Sequence, residues 1–379
     1  MPDLIAVALP GGPEFVEVLT RTWDAGDAVL PLDPTLPSAH LELLLDRMSP
    51  AALVTDEGVT RLRGGQPTEP GDALVVATSG TTGVPKAAVL THAAVEYAAY
   101  ATATALGVAD DVRWLACLPL SHVGGLSVVT RALHTGAGLE VAPRADPAVI
   151  DRAARAGATH VSLVPTVLRR IDPAPWRTIL LGGSAVPDDR PPNTVATYGM
   201  TESFGGVVYD GLALNGVSVR IAAPVGAPAD EPGPIEVRSP TLLRCYRDGT
   251  DPVAANRGWF RTGDLGTLDP GTGRLRVVGR ADDLIVTGGE KVWPSAVEDA
   301  LADHPRLGAV AVAGRPDPEW GARVVAWVVP TDPASPPTLE DVRAWVKERL
   351  PVAAAPRELV LVDSLPRTSL GKIARGRLE

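Results

Sequence analysis

The segment Thr78-Ser79-Gly80-Thr81-Thr82-Gly83-Val84-Pro85-Lys86 gathers the groups that hold a polyphosphate. Its glycines let backbone N–H groups come close to an anion. The hydroxyls of Ser79, Thr81 and Thr82 add donors, and Lys86 closes the run with a compact positive charge. It is not a Walker A loop, because Pro85 precedes the lysine and Ala87 follows it. Lysine is itself informative in this chain. Of 35 Lys and Arg residues only four are lysines, Lys86, Lys291, Lys347 and Lys372, against abundant Arg, Ala, Pro and Gly. That bias is the mark of a GC-rich genome, and it makes each lysine stand out.

The elements that must position this segment are read from periodicity. IAVAL, AVLPLDP and AALVTD read as strands, with PEFVEVLTRTWDAG and SAHLELLLDRMS as helices between them. Alternating β and α segments predict a layered α/β architecture with a largely parallel sheet. Residues 57–72 read as a polar connector. The strand ALVVAT runs straight into the Gly-rich segment, AAVL follows it, and a long helix then begins with Thr91 as its N-cap. β/α alternation continues to about residue 222, and residues 223–279 read as a β-rich subdomain. Residues 282–379 read as a smaller α+β unit. There Pro294 opens a helix, and Thr338 with Asp341 forms a capping box with Asp in place of Glu.

Composition excludes several classes. At 379 residues, 45% hydrophobic and 21% charged, the chain is long and apolar enough for two or three folded domains. Its net charge of −10 argues against a general nucleic-acid binder and fits a cytoplasmic protein acting on small substrates. The two cysteines, Cys117 and Cys245, build neither a disulfide framework nor a zinc site. The opening MPDLIAVALPGG lacks the basic start of a signal peptide, and no apolar run is long enough for a membrane span.

Four further strings accompany the Gly-rich segment, in order. They are Tyr198-Gly199-Met200-Thr201-Glu202, Gly258 to Asp264 (GWFRTGD), Gly279 to Asp283 (GRADD) with Gly288-Gly289-Glu290, and Pro366 to Lys372 (PRTSLGK). With them the chain resembles, over nearly its whole length, the adenylate-forming AMP-binding superfamily of acyl-CoA synthetases, adenylation domains and luciferases. The resemblance implies a large layered α/β N-terminal domain with a β-rich subdomain, residues 1–281, and a small mobile α+β C-terminal lid domain, residues 282–379, with a hinge near Asp282. It implies a two-step reaction. A carboxylate and ATP give an acyl-adenylate and pyrophosphate, and the thiol of coenzyme A then displaces AMP.

Residue roles follow from the resemblance. Lys372 stabilises charge at the α-phosphate and the substrate carboxylate during adenylation, a task of positioning and electrostatics. Glu202 is the Mg²⁺ ligand, since a cation bridging phosphates needs only one or two protein carboxylates. Thr201 contacts the α-phosphate, and Thr78, Gly80 and Gly83 belong to the phosphate loop. Tyr198, with Gly199 and Met200, lies against the adenine, as do Gly182, Gly183 and Ser184. Asp264 accepts from the ribose hydroxyls and Arg280 contacts ribose or phosphate. His122, with Gly124 and Gly125, walls or gates the acyl pocket; a base is not needed, because a carboxylic acid is already ionised at neutral pH. Asp282 is the hinge, and Gly288 and Gly289 line the approach of coenzyme A.

Two features depart from the family pattern. Ala87 replaces the glycine that commonly follows the loop lysine, and the stretch between Thr55 and Thr78 is abbreviated. Either a compact acceptor or a homodimer covering the exposed surface would offset such a reduction, and the sequence leaves the choice open. Short chains of this build are similar to o-succinylbenzoate–CoA ligases of menaquinone biosynthesis, through residues 198–211, 215–221, 287–298 and 354–372. That substrate carries a second carboxylate, for which Arg113, Arg131 and Arg169 are candidate partners. The alternatives are a ligase for another small aromatic or short-chain acid, an adenylation enzyme loading a carrier protein in trans, and a non-enzymatic nucleotide binder. Intact Lys86, Glu202, Asp264 and Lys372 speak against the last.

Overall fold

The computed structural model describes residues 1–78, 86–108, 111–222, 231–366 and 373–378. They form two compact units. The first comprises Met1–Arg220, Glu236–Thr262 and Pro270–Leu275, and the second Ile221–Ile235, Gly263–Asp269 and Arg276–Glu379. The division runs through the β-rich stretch. Residues 218–280 hold a four-stranded sheet of Ser218–Ile221, Gly233–Arg238, Phe260–Leu268 and Leu275–Arg280.

The first unit holds two seven-stranded sheets. In one, Leu4–Val7 pairs in parallel with Ala28–Pro31 and Ala52–Thr55, and Ala28–Pro31 continues in parallel to Asp72–Thr78. All four residues of Ala28–Pro31 are buried, which explains why AVLP is uniformly apolar: a parallel strand covered on both faces has no polar side. Antiparallel strands close both edges, Gly58–Arg61 at one and Lys86–Thr91 with Cys245–Tyr246 at the other. Gly58–Arg61 corrects the expectation of a plain connector over 57–72. All four of its residues are exposed, so this edge strand lacks the alternation that reveals a half-buried one.

The second sheet runs Leu212–Ala213, Gly205–Tyr209, Thr194–Met200, Thr178–Leu181, His160–Leu163, Arg113–Ala116, Gly138–Val141. Its centre is parallel, and Gly205–Tyr209 folds back antiparallel. Helices His92–Leu106 and Val123–Thr135 pack against each other and contribute to the core shared by strands of both sheets. The first helix offers Ala94, Ala98, Ala99 and Ala101 as buried residues, and such small side chains let helix backbones approach closely. As expected, Thr91 caps it, its hydroxyl accepting from the Ala94 N–H at 3.2 Å.

In the second unit, Gly321–Pro330 pairs antiparallel with Leu307–Asp317 and in parallel with Glu358–Leu361, and the hairpin Ile285–Thr287/Glu290–Val292 joins the sheet. The central strand is apolar on both faces. Val324, Ala326 and Val328 face a cluster with Val297, Leu301, Val342 and Val346 from helices Pro294–Leu301 and Leu339–Lys347. Val325 and Trp327 point the other way, into a cluster with Ala311, Leu365, Ile373 and Leu378. Thr338 and Asp341 form the expected reciprocal cap, and Pro294 occupies the first helical turn.

Candidate active site

Thr78 and Lys86 pair across the base of the antiparallel hairpin Asp72–Thr78/Lys86–Thr91, and the Thr78 hydroxyl donates to the Lys86 carbonyl at 3.3 Å. Ser79, Gly80, Thr81, Thr82 and Gly83, between them, lie outside the described residues, as does Lys372. The Lys86 ammonium is 5.2 Å from the ring centroid of Tyr246, on the strand hydrogen-bonded beside it. The Tyr246 hydroxyl donates to Glu202 Oε1 at 2.9 Å. Burial first, and then the Glu202 charge, raise the phenol's pKa, so it keeps its proton and serves as a donor. One tyrosine thus links the loop lysine to the carboxylate assigned to the metal. Sequence reading missed Tyr246, because Cys245-Tyr246-Arg247 carries no pattern that points 44 residues back.

Glu202 sits in the single 3₁₀ turn Thr201–Ser203 that ends the strand Thr194–Met200. The turn is fixed locally. The Met200 N–H donates to Ser203 Oγ at 3.2 Å, and the Ser203 hydroxyl donates to the Gly205 carbonyl at 2.8 Å. Gly199 is obligatory: a Cβ there would stand 1.8 Å from the Gly205 carbonyl oxygen. The Glu202 carbonyl is also engaged, accepting from the Leu243 N–H at 2.7 Å. Among the described residues no hydrogen bond uses Glu202 Oε2, and no group of three or more His, Cys, Asp or Glu could hold a metal. A half-buried carboxylate with one oxygen committed and one open fits Mg²⁺ that takes its other ligands from phosphates and water.

Gly182, Gly183 and Ser184 leave the carboxyl end of Thr178–Leu181, where that strand runs parallel to the one carrying Tyr198. A Cβ on Gly182 would meet the Thr197 hydroxyl at 2.5 Å, so this loop lies close against Thr197, the residue before Tyr198. Carboxyl ends of parallel strands are where open α/β sheets take their ligands. Tyr198 and Met200 are half-buried, and Ser184 is exposed.

His122 is the N-cap residue of helix Val123–Thr135, which follows the carboxyl end of Arg113–Ala116. Gly124 is exposed, but Gly125 is buried, and a Cβ there would come within 2.3 Å of the Leu118 carbonyl oxygen. Gly125 therefore seats the helix against the Leu118 carbonyl. Two turns on, Arg131 is 4% exposed. Arg113 and Arg169, the other candidates for a second carboxylate, are exposed. The Arg131 guanidinium stacks 4.5 Å over the Trp114 ring, and its Nε and Nη1 are buried without a hydrogen-bond partner. It borders a narrow cavity with Ser127, Thr102, Phe204 and Gly206, the last two directly after the Thr201–Ser203 turn. Trp114 also packs against His160, 4.8 Å between ring centroids. Burial and then the Arg177 and Arg131 charges push His160 down to about 4, so it is neutral at pH 7 and adds no second cation.

In the second unit Arg280 Nη1 lies 3.5 Å from Asp264 Oδ1, joining the two residues assigned to the ribose. Asp282 is exposed in the 3₁₀ turn Ala281–Asp283. Gly288 and Gly289, at φ +60° and +85°, form the two-residue hairpin turn between Thr287 and Glu290. Positive φ at both positions is what this tight turn demands, so the hairpin by itself accounts for both glycines.

Comparison with known proteins places this arrangement. Residues 63–247 match the model of the AMP-binding enzyme family, and residues 296–372 that of the AMP-binding enzyme C-terminal domain. This chain is an AMP-binding enzyme. It is 41% identical over 342 residues to the "Probable 2-succinylbenzoate–CoA ligase" of Mycobacterium tuberculosis, covering 84% of this chain and 86% of the relative. Feruloyl-CoA synthase of Amycolatopsis is 32% identical over 434 residues, covering 99% and 88%. That alignment is longer than the chain itself, so the relative carries internal residues absent here. Among solved structures, the o-succinylbenzoate CoA synthetase of Bacillus subtilis with its acyl-adenylate matches at a TM-score of 0.88 and 27% identity, over 99% of this chain and 87% of that one. The same protein with ATP and magnesium matches at 0.86. The AMP-binding enzyme thus has the expected adenylate-forming α/β fold, with a large N-terminal part and a smaller C-terminal one, and belongs to the AMP-forming acid–thiol ligases. Among its described residues no helix is long and apolar enough to cross a membrane.

Proposed function

We propose that this enzyme joins o-succinylbenzoate to coenzyme A at the expense of ATP, releasing pyrophosphate and AMP. The observation that carries the substrate is Arg131. A buried guanidinium with unsatisfied N–H groups is costly unless an anion completes it. The small cavity beside it is bordered by Ser127 of the helix that His122 caps and by Phe204 after the Glu202 turn. A substrate with two carboxylates can present one to ATP and the other to Arg131. The Mycobacterium relative and the Bacillus structures support the same choice.

In this reading residues 78–86 cradle the phosphates, and Tyr198 with Gly182–Ser184 borders the adenine. Asp264 and Arg280 hold the ribose. Glu202 holds Mg²⁺, which when bound neutralises phosphate charge. Tyr246 keeps the Glu202 carboxylate turned, leaving one oxygen for the ion. Thr201 and Lys372 stabilise charge at the α-phosphate. Residues 282–379 act as the moving lid, hinged at Asp282, with Gly288 and Gly289 on the path of coenzyme A in the second step. Two buried free cysteines and an acidic surface charge agree with a cytoplasmic location.

The test is pyrophosphate release with ATP and Mg²⁺ for o-succinylbenzoate, benzoate, ferulate, malonate and short fatty acids, with and without coenzyme A. Strong turnover of o-succinylbenzoate to a CoA thioester is expected. Arg131→Met should cost about 100-fold for that acid and little for monocarboxylates, the loss of a charge-assisted pair in a buried site. Preference for ferulate over o-succinylbenzoate would favour the alternative aromatic-acid reading that the feruloyl-CoA synthase likeness offers.

A further inference from the structure

Pro366 and Ala374 flank residues 367–372 in the sequence, and the two are joined. The Ala374 N–H donates to the Pro366 carbonyl at 2.8 Å. Beside this junction Leu365 is 7% exposed, and Ile373 packs on the cluster that contains Val325 and Trp327. One residue beyond it stands Arg375, whose three kinds of N–H are all engaged. Nη2 donates to Glu298 Oε1 and Oε2 at 2.8 and 2.6 Å, Nε to the Val312 carbonyl at 3.1 Å, and Nη1 to Asp283 Oδ2 at 3.4 Å. Glu298 is held in turn by the Val312 N–H, which donates to its Oε1 at 2.7 Å. Arg375 therefore ties three elements at once: helix Pro294–Leu301, strand Leu307–Asp317, and the turn Ala281–Asp283 that contains Asp282.

We propose that Arg375 is a positioning residue for adenylation. It ties the chain that directly follows Lys372 in sequence to helix Pro294–Leu301, to strand Leu307–Asp317 and to the turn Ala281–Asp283. The inference rests on the reading of Lys372 as the adenylation lysine. A planar guanidinium suits this work, because it can present Nη2 to a carboxylate while Nε and Nη1 reach separate acceptors, which an ammonium cannot do in fixed geometry. Packing of the central strand does not require it, since Val324, Ala326 and Val328 have their own helix-covered cluster.

The experiment separates the half-reactions. Acyl-adenylate formation is followed by acid-dependent pyrophosphate exchange, and thioester formation by adding CoA to supplied acyl-adenylate. Arg375→Met should slow adenylation about 100-fold, the cost of letting a catalytic group drift by about an ångström. The ATP KM and the second half-reaction should stay within about threefold. Arg375→Lys should recover part of the loss, and Glu298→Gln, which keeps the side chain's shape, should fall between them. Hydrogen exchange should quicken in peptides spanning 366–374 and stay unchanged in Gly321–Pro330. Equal loss of both half-reactions, or no loss in any variant, overturns the proposal. Lys372→Ala serves as the control. If it retains adenylation, the reading of the lysine fails; if it loses adenylation while Arg375→Met does not, only the inference about Arg375 fails.

Discussion

Glu202, in the first unit, and Glu298, in the second, each take a hydrogen bond from one side chain, but of opposite kinds. Glu202 receives a neutral phenol on a single oxygen and keeps the other open. Glu298 is wrapped by a guanidinium on both oxygens and by the Val312 N–H, and is largely buried. Burial pushes its carboxyl up, against the pull of Arg375. A neutral donor turns a carboxylate without spending its charge, which leaves that charge for a cation. A charged donor consumes it and makes an anchor. The first arrangement suits chemistry and the second suits placement.

Substitutions can break or sharpen this contrast. The largest effect is expected at Lys372, the proposed adenylation lysine. Lys372→Ala should lower adenylation about 1000-fold while ATP binding, measured by calorimetry, stays within a few fold, as for loss of a transition-state contact. Glu202→Gln should cost about 100-fold in pyrophosphate release at low Mg²⁺, with a thermal midpoint close to that of the parent, if the proposed Mg²⁺ ligand is lost and the fold is not. Glu298→Ala should show the reverse pattern in unfolding. It leaves Arg375 without its main partner, at about 2 kcal/mol by urea denaturation. Tyr246→Phe should be milder, about fivefold in rate, with a higher Mg²⁺ concentration at half-saturation and weaker Mn²⁺ binding by electron paramagnetic resonance. The smallest effect lies at Asp341. Hydrogen bonds from Thr338 hold it down at about 2 in the folded state. Its contribution to stability is therefore present above the unfolded carboxyl value of about 4 and is lost as pH falls towards the folded one. Asp341→Asn should flatten the acid limb of the stability curve over that window, and an unchanged limb would remove the cap from the account.

Local signals carried well from sequence to structure, and long-range ones did not. Thr91, Pro294 and the Thr338–Asp341 box sit where they were expected, because a cap is decided within four residues. The alternation of strands and helices was legible for the same reason. Gly58–Arg61 escaped, since an edge strand wet on both faces has no period to read. The close approach of Gly125 to the Leu118 carbonyl was not legible either, since the motif says nothing of that contact. Tyr246, Arg131 and Arg375 depend on partners scattered along the chain. In a sequence this rich in arginine nothing marks which guanidinium is buried, which is clamped and which is in water.

The strand Gly321–Pro330 has a practical consequence for laboratory evolution. Its alternate residues answer to different selections. Changes at Val324, Ala326 and Val328 strike the helix-covered cluster and should surface in any screen for soluble expression. Changes at Val325 and Trp327, equally buried, strike the cluster that seats Ile373, so those that survive such a screen should still fail one for adenylate formation. A library scored by both screens along this one strand would sort its positions by parity.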